Sequence, residues 1–464
     1  MSTAVAVSLG YDGSGMDGKR TPLSVFGRSR YDREIARLAI PAFGALIAEP
    51  IYLLTDTAIV GHLGTPQLGG LAVAMSILLT LFAVFIFLAY GTTATVSRLL
   101  GAGDEAEAAH QAVQSLWLAG LIGVALVLVG LVLAGPLVAL FGAEGAVADN
   151  ALVFLRISLF GVPAMLAVLA GTGYLRGLQD TRTTLAVAAG TAMVNLVIEV
   201  VLIYGLDQGI GASALSTVVA QCLAAAVYIR LIARTARALH VDVRPQVASI
   251  ARLSRMGADL LVRTVALRVA LAVSTAVAAR VGTISLAAHE IAFGLWNFLA
   301  FGLDAVAIAG QAMVGRALGA GEGRSARGAG RRMIEWGVAL GTVAGVIVLA
   351  TRGLLPHVFS DDPEVIEVAG LLLVWVALLQ PLNGLVFVLD GILIGAGDMA
   401  FLARAMVGAA VVFVPPAVAV AVLGLGIGWL WACIGLLMAA RAVALGARFA
   451  GDRWIVLGGL PSRR

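Results

Sequence analysis

The feature that most limits what this chain can fold into is the recurrence of uncharged apolar runs, each long enough to cross a lipid bilayer. Residues 118–140, LAGLIGVALVLVGLVLAGPLVAL, carry no charge at all. A helix needs only about 20 such residues to traverse roughly 30 Å of hydrocarbon. Comparable runs return from one end of the chain to the other. Composition agrees, since 60% of the 464 residues are hydrophobic and 12% are charged, about half the charge of an ordinary soluble domain. In lipid every backbone amide must find its partner within the protein, which leaves helices or a closed barrel. The runs are continuous, not alternating segments of about ten residues, and that excludes the barrel. The expected fold is an all-α polytopic membrane protein of twelve spans, near residues 35–61, 68–98, 112–141, 151–176, 183–206, 210–232, 253–281, 286–315, 332–358, 366–395, 403–424 and 426–448.

Charge placement predicts the orientation. Most of the 31 Lys and Arg residues fall near the N-terminus, in alternate loops or after the last span. Arg230, Arg234, Arg237, Arg244, Arg252 and Arg255 make the central loop the most basic. The positive-inside rule then puts both termini in the cytoplasm, as an even number of spans requires. A multi-pass protein of the cytoplasmic (inner) membrane is expected. Residues 1–34 lack the positive start and apolar core of a signal peptide and read as a disordered cytoplasmic tail. The formal charge of +4 is thus a signal of topology, not of nucleic-acid binding. Cys222 and Cys433 fall inside spans, so no disulfide framework is implied.

The chain repeats itself at a displacement of 218 residues. SRLLGAG at 97–103 falls on GRALGAG at 315–321, Pro163 on Pro381, Gly177 on Gly395 and Asp180 on Asp398. Six spans separate the copies, so the halves share one orientation, and parallel six-span repeats are a transporter architecture with its site near the midplane. The domains expected are a tail (1–34), an N-terminal lobe (35–235), a cytoplasmic linker (236–252), a C-terminal lobe (253–450) and a second tail (451–464). No phosphate loop is present, and the only lysine is Lys19. Movement against a gradient would therefore need a partner ATPase or a coupled ion, and acids within the spans favour the ion.

Several stretches together resemble the multidrug and toxic compound extrusion (MATE) transporters, of the DinF-like branch. They are PAFGALIAEPIYLLTDTAIVGHLG in span 1, ATVSRLLGAG leaving span 2, and YLRGLQDTRT after span 4. AAHEIAFGLWNF, GLDAVAIAGQAMVGRALGAG and LDGILIGAGD carry the likeness through the second half. The resemblance implies two six-helix lobes around a V-shaped cleft, and export of amphipathic, often cationic compounds in exchange for H⁺ or Na⁺. The family's span 1 acid falls on Asp56, and its span 5 pattern of Asn and acid on Asn195 and Glu199. The span 6 hydroxyl falls on Thr217 and the span 4 polar position on Thr172. Where this branch often has Asp, Glu199 is one methylene longer, and protons are favoured over sodium. If sodium binds, Asp56, Asn195, Glu199 and Thr217 are the expected ligands.

The residues support that grouping on their own. Asn195 and Glu199 lie four apart on one helix face, and Glu49 and Asp56 seven apart on another. An ionised carboxylate at bilayer depth costs at least about 2.5–3.5 kcal/mol, so each must face water, a partner or an ion. Glu49 could also satisfy backbone groups freed by Pro50. Displaced by 218 residues, Asp56 lands on Ser274 and Glu199 on Ala417, which assigns the ion site to the first lobe.

In the second lobe, Glu290, Asn297, Asp304 and Gln311 recur at intervals of seven and form one inward polar stripe. Span 7 carries Arg263 and Arg268, where a different branch of the family, NorM-like, has an acid. Arg263 is expected to pair with Asp304 or Asp390. His289 reads as a proton relay or as a hydrogen bond between packed helices. Met75, Phe82, Phe85, Phe293, Trp296 and Phe298 are candidate cleft walls. No cofactor is expected beyond the coupling ion, and the partners are lipid and small amphipathic substrates, with a monomer as the working state. A flippase for a lipid-linked precursor is the alternative, weakened because only Arg263 and Arg268 could meet a pyrophosphate. An enzyme is excluded by the scatter of His62, His110, His240, His289 and His357.

Overall fold

Backbone amides in hydrocarbon are satisfied by coiling, and the apolar runs do so over most of their length. The computed structural model describes residues 29–206 and 208–459. Six spans build the first lobe: α1 (Asp32–Gly61), α2 with α3 (Thr65–Phe85, Phe87–Gly101), α4 (Glu105–Leu140), α5 with α6 (Gly145–Leu159, Val162–Gly177), α7 (Thr181–Val200) and α8 (Ile210–Ala238). Six more build the second: α9 (Val247–Val281), α10 (Thr283–Gly319), α11 (Gly323–Thr351), α12 (Pro363–Gly395), α13 (Met399–Val422) and α14 (Ile427–Ala450). Eleven of these units are long and apolar enough to cross a membrane, and the α5–α6 pair, bent by 52°, makes the twelfth. The bend falls at Gly161 and Pro163, where proline has no amide to give the preceding turn.

The helix ends repeat with the sequence. After Gly101 and after Gly319 the chain turns through a left-handed glycine, Gly103 (φ +78°) and Gly321 (φ +79°), a conformation other residues adopt only with strain. Asp104 then caps α4, and Asp180 caps α7, by accepting amide hydrogen bonds from Glu107 and Thr183. The loop 239–246 between the lobes lies against α4. His110 contacts the Asp242 carbonyl, Gln114 donates to Arg244, and Trp117 donates to Val243.

The start of α1 and the end of α14 lie on the same face of the molecule, the arginine-rich one, and there the two lobes seal. Helices α3 and α10 cross so closely that a Cβ on Gly101 would stand 2.0 Å from the Arg316 carbonyl oxygen. A Cβ on Gly319 would stand 2.0 Å from the Arg98 carbonyl oxygen. These are one contact seen twice with the lobes exchanged, backbone on backbone, as small residues permit in membranes.

Charged groups tighten the seam. Arg98 is buried and donates to four carbonyls, of Ala396, Val456, Gly458 and Gly459, at 2.6–2.9 Å. Asp32 accepts from Arg332 at 2.6 Å and from the Trp336 indole at 2.9 Å.

One expectation about the tails changes. Residues 1–28 lie outside the described part, but the tail does not extend to 34, because Asp32 opens α1 and is tied to the second lobe. Residues 451–459 are packed, with Trp454 buried against Phe449, and the remainder, 460–464, again lies outside the described residues.

Candidate functional site

The first lobe gathers its acids where α1, α7 and α8 meet, away from the seam. Asp56, Asn195 and Glu199 are all buried, 1–2% exposed. Ser213 donates to an Asp56 carboxylate oxygen at 2.6 Å. The Glu199 carboxyl lies beside Asp56 and Ser213, close enough to feel both. Asn195 donates to Ser216 at 3.2 Å and to Thr217 at 3.1 Å, and Thr217 shares a 2.7 Å hydrogen bond with the Tyr52 hydroxyl. Immediately after Glu199 the helix widens into a π turn over Val201–Gly205, a distortion that often accompanies functional sites.

Two features of this knot are chemically informative. Two carboxylates buried side by side repel, so Asp56 and Glu199 form a place where one proton, or a cation, relieves the charge. The Asn195 amide oxygen and the Glu199 Oε1 are buried with no hydrogen-bond partner among the described residues. Unsatisfied buried oxygens are expensive and therefore mark a place for a donor or a cation. The donor set, all oxygen, fits a proton and also a hard cation.

The three other expected members are placed as follows. Thr217 is in the knot. Thr172 is not: it donates to the Tyr228 hydroxyl at 3.1 Å. Tyr228 follows Thr217 by eleven residues on α8, about 16 Å nearer the arginine-rich face at 1.5 Å per residue. Glu49 shares the α1 face but is exposed and makes no hydrogen bond, to the backbone freed by Pro50 or to anything else among the described residues. Tyr52, Ser213 and Ser216 were not anticipated, although Tyr52 precedes Asp56 by one helical turn, and Ser213, Ser216 and Thr217 share a face of α8.

The second lobe holds a different centre. Asp390 sits between two arginines, accepting from Arg263 at 2.6 Å and from Arg441 at closer range. Arg263 therefore pairs with Asp390 and not with Asp304, while Arg268 is exposed. On α10, Glu290 and Asn297 are exposed, Asp304 is half-buried between the lobes and Gln311 is buried at the seam. His289 corrects its expectation. Both ring nitrogens are buried without a partner, and the ring stacks on Phe293 (5.7 Å) and meets Trp431 edge-on (5.8 Å), so it makes no hydrogen bond between helices among the described residues. Trp296 packs on Trp431 inside the lobe, not along a cleft wall. Met75, Phe82, Phe85 and Phe293 are half-buried and Phe298 is exposed.

Comparison with known proteins gives one answer. The family model MatE matches residues 41–201 and 261–420. Protein DETOXIFICATION 44, chloroplastic, of Arabidopsis thaliana is 32% identical, over 94% of this chain and 86% of its own length. DNA damage-inducible protein F of Escherichia coli (strain K12) is 26% identical, over 90% of this chain and 91% of its own. Among solved structures, a eukaryotic MATE transporter superposes with a TM-score of 0.81 at 17% identity, over 92% and 97% of the two chains. A MOP superfamily transporter from Pyrococcus furiosus, described as having a binding pocket of reverse polarity, gives 0.81 at 19%, over 91% and 95%.

Proposed function

The chain belongs to the MATE family of multidrug and toxic compound extrusion transporters, and from that premise we propose that it exchanges amphipathic substrates for protons held between Asp56 and Glu199. The observation that supports the coupling is the burial of these two carboxyls side by side, where two full negative charges repel and one proton relieves them. With one proton shared, the pair carries a single negative charge and its three helices stay knotted through Ser213. Once the proton leaves, two adjacent carboxylates repel in a low-dielectric site, and α1 must move against α7 and α8 or admit water. That gives the exchange its physical logic, since only one of two arrangements tolerates an empty proton site.

The arginine-rich face is the cytoplasmic one in this reading, because positive charge is retained there. Sealed on that face, the molecule offers its cleft to the outside. It acts as a monomer in the inner membrane, and the exposed Glu290 and Asn297 stripe lines its substrate path.

The test is dye efflux from proteoliposomes under a proton gradient and, separately, a sodium gradient, with wild type beside Asp56→Asn and Glu199→Gln. A proton gradient alone drives efflux, and each variant loses it. Efflux driven by sodium alone would overturn proton coupling. Failure of both gradients, with transfer of a fluorescent lipid-linked sugar, would make the protein a flippase.

A further inference from the structure

Five charged side chains converge between the lobes just above the seam, and the exchange mechanism uses none of them. Arg176, in the last turn of α6, is 8% exposed. Its Nε is buried with no partner, and no hydrogen bond or ion pair among the described residues reaches the rest of its guanidinium. Long side chains on a helix lean toward its N-terminus, so Arg176 reaches away from the arginine-rich face, toward the space between the lobes. There it lies within electrostatic reach of Tyr90 on α3 and of Asp304 on α10. Tyr90 in turn feels Arg176 and the second-lobe charges Arg263, Asp304 and Asp390, yet hydrogen-bonds to none of them.

The charges do not balance within the protein. Asp390 is shared by Arg263 and Arg441, which leaves that group one positive charge in excess. Arg176 adds another, and Asp304 offsets only one. A position in the last turn of a helix is favourable for an arginine, but it does not account for a guanidinium drawn inward and left unbonded. Arginine presents its donors as a planar fork that suits a carboxylate, and here the fork meets no acceptor among the described residues and is open to one from a bound molecule.

Resting on the exporter reading, the geometry points to a carboxylate subsite at the floor of the cleft: Arg176, with Arg263 and the Tyr90 hydroxyl, takes the carboxylate of an amphipathic substrate. A cationic or donor group on the same molecule then faces Asp304 and, further out on the same helix face, Asn297 and Glu290. The substrates this site favours are acids and zwitterions, in preference to purely cationic compounds. Because Arg176 belongs to the first lobe and Asp304 to the second, such a substrate bridges the lobes, whereas a plain cation engages only the second.

The test uses a matched pair of dyes, rhodamine 6G, an ethyl ester and a cation, and its free acid, which differ only in the carboxylate. Binding to the detergent-solubilised protein is followed by fluorescence anisotropy, and transport in proteoliposomes is measured separately. Wild type binds the acid more tightly than the ester. Arg176→Gln weakens the acid at least about tenfold while moving the ester less than about twofold, and Arg176→Lys recovers part of the loss. Equal affinity of wild type for the two dyes, or an equal effect of Arg176→Gln on both, would overturn the subsite. If neither dye moves under any gradient but the binding difference holds, the exporter reading fails and the subsite stands.

Discussion

Replacing Gly319 by alanine forces the lobes apart at their seam by an amount that can be worked out from the backbone. The added Cβ would lie 2.0 Å from the Arg98 carbonyl oxygen, 1.4 Å short of the 3.4 Å at which ordinary contact begins. The obstacle is backbone on a helix that is itself held by four hydrogen bonds from Arg98, so no side chain can swing aside. Overpacking of this kind costs about 1–3 kcal/mol. It falls only on the sealed arrangement, so about 2 kcal/mol would shift the balance between sealed and open forms on the order of 30-fold. The twin substitution, Gly101→Ala, meets the Arg316 carbonyl at the same 2.0 Å and should have the same effect. One separation of the helices relieves both clashes, so the double variant should cost less than the sum of the singles. Pulsed electron resonance between spin labels at Glu105→Cys and Arg324→Cys, with Cys222 and Cys433 replaced, reads the separation directly. Each single variant should move population from a short to a longer distance and slow transport. An unchanged distance distribution in Gly319→Ala would refute the argument, because two atoms cannot share that space.

Other expectations follow from the buried charges. Asp390→Asn leaves Arg263 and Arg441 facing each other without a counter-charge and should cost about 3–5 kcal/mol of stability, seen as a lower thermal midpoint in detergent. Adding Arg441→Met should restore part of it, and no restoration would mean that Asp390 acts otherwise. His289→Phe removes no hydrogen bond and keeps the stacking on Phe293, so both stability and transport should survive within about 1 kcal/mol. Loss of transport in a well-folded His289→Phe would point to the proton relay. Arg98→Met removes donors to four carbonyls, and residues 451–459 should become sensitive to protease with a loss of at least about 2 kcal/mol. Unaltered digestion would show that Trp454 alone holds the segment.

The sequence made the spans legible because lipid leaves a helix no alternative, so hydrophobicity alone located them. It also made Asp56, Asn195 and Glu199 legible, since an acid in an apolar run has few innocuous explanations. Ser213 and Ser216 escaped because serine is an ordinary packing residue between membrane helices, and nothing in its spacing says that a carboxylate stands opposite. Glu49 shows the converse limit. Counting seven residues back from Asp56 gives the right face, but not whether that face is covered at that height. The repeated LGAG stretches were visible as a repeat, yet their meaning lies in a partner more than two hundred residues away. Arg98 counted only as a topological charge for the same reason: its acceptors, Ala396 and residues 456–459, lie in the opposite lobe and beyond it, where a local pattern does not reach.

The grip of Arg98 on residues 456–459 also orders events during synthesis. Arg98 leaves the ribosome about 360 residues before the carbonyls it will bind. The first lobe can insert and pack while this guanidinium still lacks most of its acceptors, so the nascent protein carries an unsettled arginine until residues 456–459 arrive. Closure of the seam is therefore among the final steps of biogenesis. A half-made transporter cannot yet seal its lobes, and chaperones or proteases at the membrane surface have that interval in which to judge it.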